Sequence, residues 1–153
     1  MAFPDLEALQ AYLDRCTNPR HFTVHENGLL QAWLCSFDRN DSRWFVMIID
    51  TRFQGNGLGT ALLTTAMSKE EALNGWVVEH DNYRLQDRST YRSPLGFYLK
   101  LGFHLQPNRF DDGELQAINS SGEEKVEQSQ PISLPIHFLR RRHRYTLPQK
   151  ETP

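Results

Sequence analysis

The sequence predicts a single mixed α/β (α+β) domain whose mostly antiparallel central sheet is flanked by helices. Three observations predict it. Up to residue 49 the chain holds strand-like runs joined by tight turns. At Leu58 the period changes to that of a helix, with Leu58, Ala61, Leu62, Thr65 and Ala66 on one face. Beyond it, short strand and helix signals alternate again. At 153 residues, 39% of them hydrophobic and 24% charged, the chain suits one domain that buries a core without staples.

The elements follow in order. Pro4 suits a first helical turn, and Leu6, Leu9, Tyr12, Leu13 and Cys16 recur at helical spacing, giving an amphipathic helix. Residues 22–26 and 29–37 read as strands joined at Asn27-Gly28, a dipeptide that accepts the positive φ angles of a hairpin. A second turn at 38–42 leads to 44–49, an aromatic and β-branched run expected of a strand buried on both faces. The helix that opens at Leu58 is predicted to reach about Leu73 and to end at Asn74-Gly75. A short strand at 76–79 follows. Ser93 and Pro94 read as the N-cap and first turn of a helix stopped by Gly102, and residues 103–106 and 134–139 supply the last strands.

Residues 107–131 are polar and too poor in apolar side chains to form core, and are predicted to be a long loop or an extended hairpin. The domain is therefore drawn at 1–145, with 146–153 as a flexible tail. A formal net charge of −2 demands neither a polyanionic partner nor a membrane surface. No stretch reaches the roughly 18 apolar residues needed to span a bilayer, and the N-terminus lacks a basic region followed by an apolar run, so a cytoplasmic protein is expected. Cys16 and Cys35 lack the number and spacing of a zinc site or disulfide framework and read as reduced thiols. His21 and His25 share an i, i+4 spacing but fall around a strand with no third ligand, so no metal is predicted.

The chemistry gathers at Gln54-Gly55-Asn56-Gly57-Leu58-Gly59-Thr60, between the buried strand and the helix. Glycines at such a junction let backbone N–H groups converge on an anion, and the positive end of the helix dipole favours phosphate there. A Walker loop is excluded, because Gly59 is followed by Thr60-Ala61 and no lysine. A dinucleotide fingerprint comes closer. Gly55, Gly57 and Thr60 fall on its three glycine positions with one mismatch, and Glu79 ends a strand about twenty residues on. That fingerprint, however, follows the first strand of a parallel unit, whereas strands joined by short turns precede this loop.

Gln54, Gly57 and Gly59 also match the motif Q/R-x-x-G-x-G/A, and here the sequence resembles the GCN5-related N-acetyltransferase (GNAT) superfamily. Gly96-Phe97-Tyr98-Leu99-Lys100-Leu101-Gly102-Phe103 is similar to that family's F-Y-x-K-x-G-F segment. The matched region runs over residues 44–106. It departs from the family where one helix, not two, precedes Phe22, and where Thr90-Tyr91-Arg92-Ser93 stands in place of an asparagine that many members carry.

The resemblance implies an acyl-CoA N-acyltransferase fold and transfer of acetyl from acetyl-CoA to a primary amine in a ternary complex, without a covalent acyl-enzyme. It implies that backbone groups of Ile49, Asp50 and Thr51 pair with pantetheine and hold the carbonyl. The N–H groups of Gln54, Gly55, Asn56, Gly57, Leu58, Gly59 and Thr60 would take the phosphates, and Tyr98 is the candidate acid for the departing thiol. Taken alone, Tyr98 reads as a core aromatic. Glu79 and His80, at the end of the next strand, are the candidate bases. Asp87, Asp111, Asp112 and Glu114 are loop acids that could attract an amine, and the run Arg140-Arg141-Arg142-His143-Arg144 reads as a solvated basic segment rather than a nucleic-acid grip. A homodimer through the last strands is the family-based expectation. The alternatives are a non-catalytic acyl-CoA-binding module and a small dinucleotide-binding protein.

Overall fold

The computed structural model describes residues 6–82, 90–110 and 115–121. Along the chain it contains α1 (Leu6–Leu13), β1 (Thr17–Glu26), β2 (Leu29–Arg39), β3 (Ser42–Ile49), a 3-10 turn (Thr51–Phe53), α2 (Leu58–Met67), β4 (Asn74–Val78), α3 (Leu95–Lys100), β5 (His104–Phe110) and β6 (Leu115–Asn119). The strands form one six-stranded sheet in the order β1-β2-β3-β4-β6-β5. Every neighbouring pair is antiparallel except β3–β4, which is parallel. No described helix is long and apolar enough to cross a membrane.

The turns form where residues that tolerate positive φ occur. Asn27 (φ 49) and Gly28 (φ 76) close the first hairpin, and Asn40 (φ 46) and Asp41 (φ 55) close the second. β1 begins five residues ahead of the predicted Phe22, because Asn18 at φ 50 and the register shift between Thr17 and Arg20 absorb the irregularity that Pro19 brings.

α2 ends at Met67, short of the predicted Leu73. The Ser68 hydroxyl donates to the Thr65 carbonyl at 2.7 Å, and the side chain of Glu70 is drawn to Ser36, whose hydroxyl donates to it at 2.8 Å. The chain then turns so that Leu73 enters the core. Asn74-Gly75, expected to stop the helix, instead opens β4. Asn74 Nδ2 donates to the Arg43 carbonyl at 2.9 Å, and the ring of Phe45 lies where a Cβ on Gly75 would sit, 2.7 Å from it.

The last core strand is β6, not residues 134–139, which lie outside the described residues. It falls inside the stretch whose composition predicts no contribution to the core, yet Ala117 and Ile118 are buried. Its polar side chains are buried with partners: Gln116 Nε2 donates to the Gln106 carbonyl and Asn119 Nδ2 donates to Asn74 Oδ1 at 2.7 Å. A strand of this kind carries little apolar signal.

Two apolar clusters cover the two faces. α2, through Leu62, Leu63 and Ala66, and α3 lie on one face, over Leu34, Phe45, Leu73, Val77, Phe103 and Ile118. On the other face Tyr12, Leu13 and Cys16 pack on Cys35, Phe37, Trp44 and Val46, with Trp33 and Trp76 beside them. The parallel pair β3–β4 is registered at Trp44↔Asn74 and at no later position among the described residues. Beyond that point the two strands diverge. Burial along β3 follows suit: residues 44–46 are buried, and 47–49 open toward the gap.

Candidate active site

The gap between β3 and β4 is floored by aromatic rings on both faces. On one side the Phe45 ring presses on Gly75; on the other Trp44 stacks on Trp76 at 5.3 Å. Strands whose backbones no longer pair leave N–H and C=O groups in want of partners. The Asp50 N–H donates to the Gln31 carbonyl at 2.9 Å, toward β2. Alternation along the strand therefore turns the backbone groups of Met47 and Ile49 toward the gap. Of the three backbone positions predicted to meet pantetheine, Ile49 faces the opening and Asp50 directs its N–H away. Met47, which sequence reasoning missed, faces the opening.

Past Ile49 the chain folds back on itself. Asp50 caps the 3-10 turn by accepting from the Arg52 N–H at 2.9 Å and pairs with the Arg52 guanidinium at 2.6 Å, while Thr51 opens the turn. Gln54 Nε2 donates to the Ile49 carbonyl at 3.3 Å, clamping the loop to the strand end. Gly55 (φ 80) and Gly57 (φ 78) are left-handed, and a Cβ on either meets only open space. Their need for glycine is conformational, and it leaves the space over the loop clear. The first helical bond of α2 runs from the Ala61 N–H to the Gly57 carbonyl at 3.0 Å. The N–H groups of Leu58, Gly59 and Thr60 therefore precede it and lack an acceptor one turn earlier. Gly59 has a different reason: its Cβ would lie 3.0 Å from Ile49 Cδ1 and 3.1 Å from Phe97 Cζ. The absent side chain lets β3, α2 and α3 meet this closely.

α3 delivers the second motif. Ser93 Oγ accepts the Leu95 N–H at 3.1 Å, and its hydroxyl donates to the Val78 carbonyl, pinning the start of α3 to the end of β4. Gly102 at φ 89 ends the helix. Tyr98 packs its ring against Phe97 (5.1 Å), Phe103 (5.6 Å) and Phe45 (5.9 Å). Burial pushes its phenol well above the ordinary tyrosine value, and Tyr91 nearby adds to the shift, so the group stays protonated at neutral pH.

The candidate bases fare differently. Glu79 pairs with Arg109 on β5 at 2.6 Å, a partner thirty residues away that no local pattern marks. His80 accepts the Asn82 N–H through Nδ1 at 3.4 Å, within its own turn. The structure therefore brings the cradle, the strand end and the Tyr98 helix together, and gives the Glu79 carboxylate to an arginine. A dinucleotide site is not supported, because β3–β4 is the one parallel pair in an otherwise antiparallel described sheet and is not followed by the further parallel strands of a dinucleotide domain.

The arrangement fits an acyl-CoA: anion-directed N–H groups, open space over two left-handed glycines, and a strand edge that has parted from its neighbour beside them. Comparison with known proteins agrees. No curated protein matches the sequence. Solved structures share the fold at low identity. A putative GNAT-family acetyltransferase from Bacteroides thetaiotaomicron aligns with a TM-score of 0.54 and 15% identity, over 82% of this chain and 72% of that one. The ribosomal-protein-S18-alanine N-acetyltransferase from Escherichia coli gives 0.51 and 20%, over 73% of each chain. An aminoglycoside 6'-N-acetyltransferase complexed with coenzyme A gives 0.53 and 13%, over 75% of this chain and 78% of that one. The family model for the acetyltransferase (GNAT) domain matches residues 18–105, more than half of the sequence, and the chain belongs to the GNAT acetyltransferase family.

Proposed function

We propose that this chain transfers the acetyl group of acetyl-CoA to a primary amine by direct attack within a ternary complex. The observation that carries the reading is the meeting of three elements at Gly59, where Ile49 from the splayed strand and Phe97 from the Tyr98 helix both touch the first turn of α2. When bound, acetyl-CoA supplies an activated thioester carbonyl. The N–H groups of Leu58, Gly59 and Thr60, with the loop 54–57, hold its pyrophosphate, assisted by the helix dipole. The backbone of Ile49, with Met47 behind it, pairs with the pantetheine arm. Asp50 and Thr51 shape the turn that ends the strand.

Tyr98 carries a proton that burial keeps in place at neutral pH, and it donates that proton to the departing thiolate. Its role is to assist, since a thiolate leaves tolerably unaided. The amine must lose a proton to attack. Glu79 is held by Arg109, so His80 is assigned the base, acting directly or through a water.

The engagement of Glu79 favours one second reading, a module that binds acyl-CoA without turning it over. Calorimetric titration with acetyl-CoA, beside a Gly57→Glu variant, tests the first. Micromolar binding by the wild type is expected, and its loss in the variant, whose side chain fills the cradle with bulk and like charge. A folded wild type that ignores acetyl-CoA sinks the reading. Binding with neither slow hydrolysis nor transfer to any amine selects the module instead.

A further inference from the structure

The direction of one carbonyl shows how α3 is aimed at the gap. The Ser120 N–H donates to the Leu73 carbonyl at 3.0 Å, toward β6, and successive carbonyls along β4 alternate in direction. The Val78 carbonyl therefore faces the β3 side. Among the described residues β3 and β4 are registered only at Trp44↔Asn74, so no β3 backbone meets Val78. A carbonyl there needs another partner. Ser93 provides it: its hydroxyl donates to the Val78 carbonyl, and the same oxygen accepts the Leu95 N–H at 3.1 Å. The Ser93 N–H in turn donates to Asp81 Oδ1, which holds the serine from behind. One side chain thus ties the β4 lip of the gap to the first turn of α3.

The placement of Tyr98 depends on this tie more than on its own helix. α3 is six residues long, and a helix of that length is not held by its own hydrogen bonds. The Phe97 and Tyr98 N–H groups both donate to the Pro94 carbonyl, at 3.0 and 3.2 Å, so the Tyr98 backbone is set relative to the residue that follows Ser93. Phe45, Phe97 and Phe103 give the Tyr98 ring an apolar bed. Apolar contact is non-directional and tolerates a slide along that bed. The hydrogen bonds of Ser93 are directional, and they fix where along the gap the phenol comes to rest.

We propose that Ser93 is a positioning residue for proton delivery: by joining the Val78 carbonyl to α3 it sets the Tyr98 hydroxyl at the gap, where Tyr98 gives its proton to the thiolate sulfur as the C–S bond breaks and recovers one from water. The assignment rests on the acetyltransferase reading. Ser93 itself touches no reacting atom.

The test is a double-mutant cycle on the full-length protein. Turnover is followed as thiol release from acetyl-CoA, with putrescine, lysine or 2-phenylethylamine present and with none, and acetyl-CoA affinity is measured calorimetrically in parallel. Ser93→Ala is expected to lower kcat about tenfold in the wild-type background and by less than about twofold once Tyr98→Phe has removed the proton. Ser93→Thr, which keeps the hydroxyl, should stay within about twofold of wild type. Asn119→Ala, at the other end of β4, should leave kcat unchanged, which separates aim from general loosening. An unchanged kcat in Ser93→Ala overturns the proposal, and so does an equal loss in both backgrounds, a loss in Ser93→Thr as large as in Ser93→Ala, or the same loss in Asn119→Ala. If Ser93→Ala does not fold, Asp81→Ala takes its place, since it frees the Ser93 N–H and should lower kcat about threefold with Tyr98 present and not at all in Tyr98→Phe. Acetyl-CoA binding with no thiol release by any route overturns the positioning role and leaves the cradle standing. No acetyl-CoA binding overturns both.

Discussion

Gly59 and Tyr98 show how single residues carry different kinds of work in this site. At Gly59 the issue is space. An added methyl would meet Ile49 Cδ1 at 3.0 Å and Phe97 Cζ at 3.1 Å, both ends of side chains that can yield by a few tenths of an ångström. Gly59→Ala is therefore expected to cost about 1 to 2 kcal/mol in chemical denaturation and to weaken acetyl-CoA binding as α2 shifts from the strand. An unchanged midpoint would show that the three elements are not tightly packed there. At Tyr98 the issue is a proton. Tyr98→Phe keeps the ring contacts with Phe45, Phe97 and Phe103 and removes the donor, so kcat should fall by about 100-fold with folding preserved. The sign of its pH effect follows from burial. The folded phenol holds its proton above the ordinary value of 10.0, so its contribution to stability is complete below that pH and is lost as pH rises toward the folded value. The stability of the wild type relative to the phenylalanine variant should hold level up to pH 10 and decline above it; a decline beginning near neutrality would refute the assignment.

At the scale of elements, the segment between α2 and β4 is tied down by a buried charge cluster. Glu70 lies beside Arg43 Nε at 3.1 Å and accepts from Ser36, and Arg43 also bonds Asp38 at 2.9 Å and the Asn18 carbonyl at 2.7 Å. Both side chains are about nine-tenths buried, with 10% of Glu70 and 11% of Arg43 exposed. Removing Glu70 takes one of the two carboxylates that face Arg43 and leaves Asp38, so Glu70→Ala should lower unfolding free energy by about 2 kcal/mol. The neighbouring, exposed Glu71 is the control, with Glu71→Ala expected within about 0.5 kcal/mol of wild type in the same urea titration. This cluster also explains what could be read in advance. The start of α2 was legible because glycine chemistry and helical period are local signals. Its end was not, because Glu70 leaves the helix to meet residues on β2 and β3. Asn74-Gly75 misleads for the same reason: as a dipeptide it reads as a stop, but the Phe45 ring requires Gly75 and the Arg43 carbonyl requires Asn74. β6 was illegible because its buried polar residues find partners far along the chain. The cradle and Tyr98 carried motif signals, whereas the pairing of Glu79 with Arg109 carried none, because only the β5–β6 hairpin brings Arg109 near.

Across the whole molecule the sheet has a closed end and an open one. At the closed end Asn119, fully buried, donates to Asn74 and accepts from the Ser121 N–H at 2.6 Å, while Asn74 reaches the Arg43 carbonyl, so β6, β4 and β3 are laced together. At the open end β3 and β4 part, and the cradle stands beside the gap. The parallel pair thus divides labour: lacing confers stability, and the unpaired strand backbone is left for a ligand. The two ends should then respond independently to heat. Saturating the wild type with acetyl-CoA at about 100 times its Kd adds about 2.7 kcal/mol and should raise Tm by roughly 5 to 10 °C for a chain of this size. Asn119→Ala leaves Asn74 Oδ1 buried without its donor, at a cost of about 1 to 3 kcal/mol, and should lower the ligand-free Tm while keeping the ligand-induced rise. Gly57→Glu should also lower the ligand-free Tm, since a side chain at φ 78 costs about 1 to 2 kcal/mol, but it should erase the rise. If Asn119→Ala also abolished the ligand response, the closed end would be setting the width of the gap, and stability and binding would be one property of the sheet rather than two.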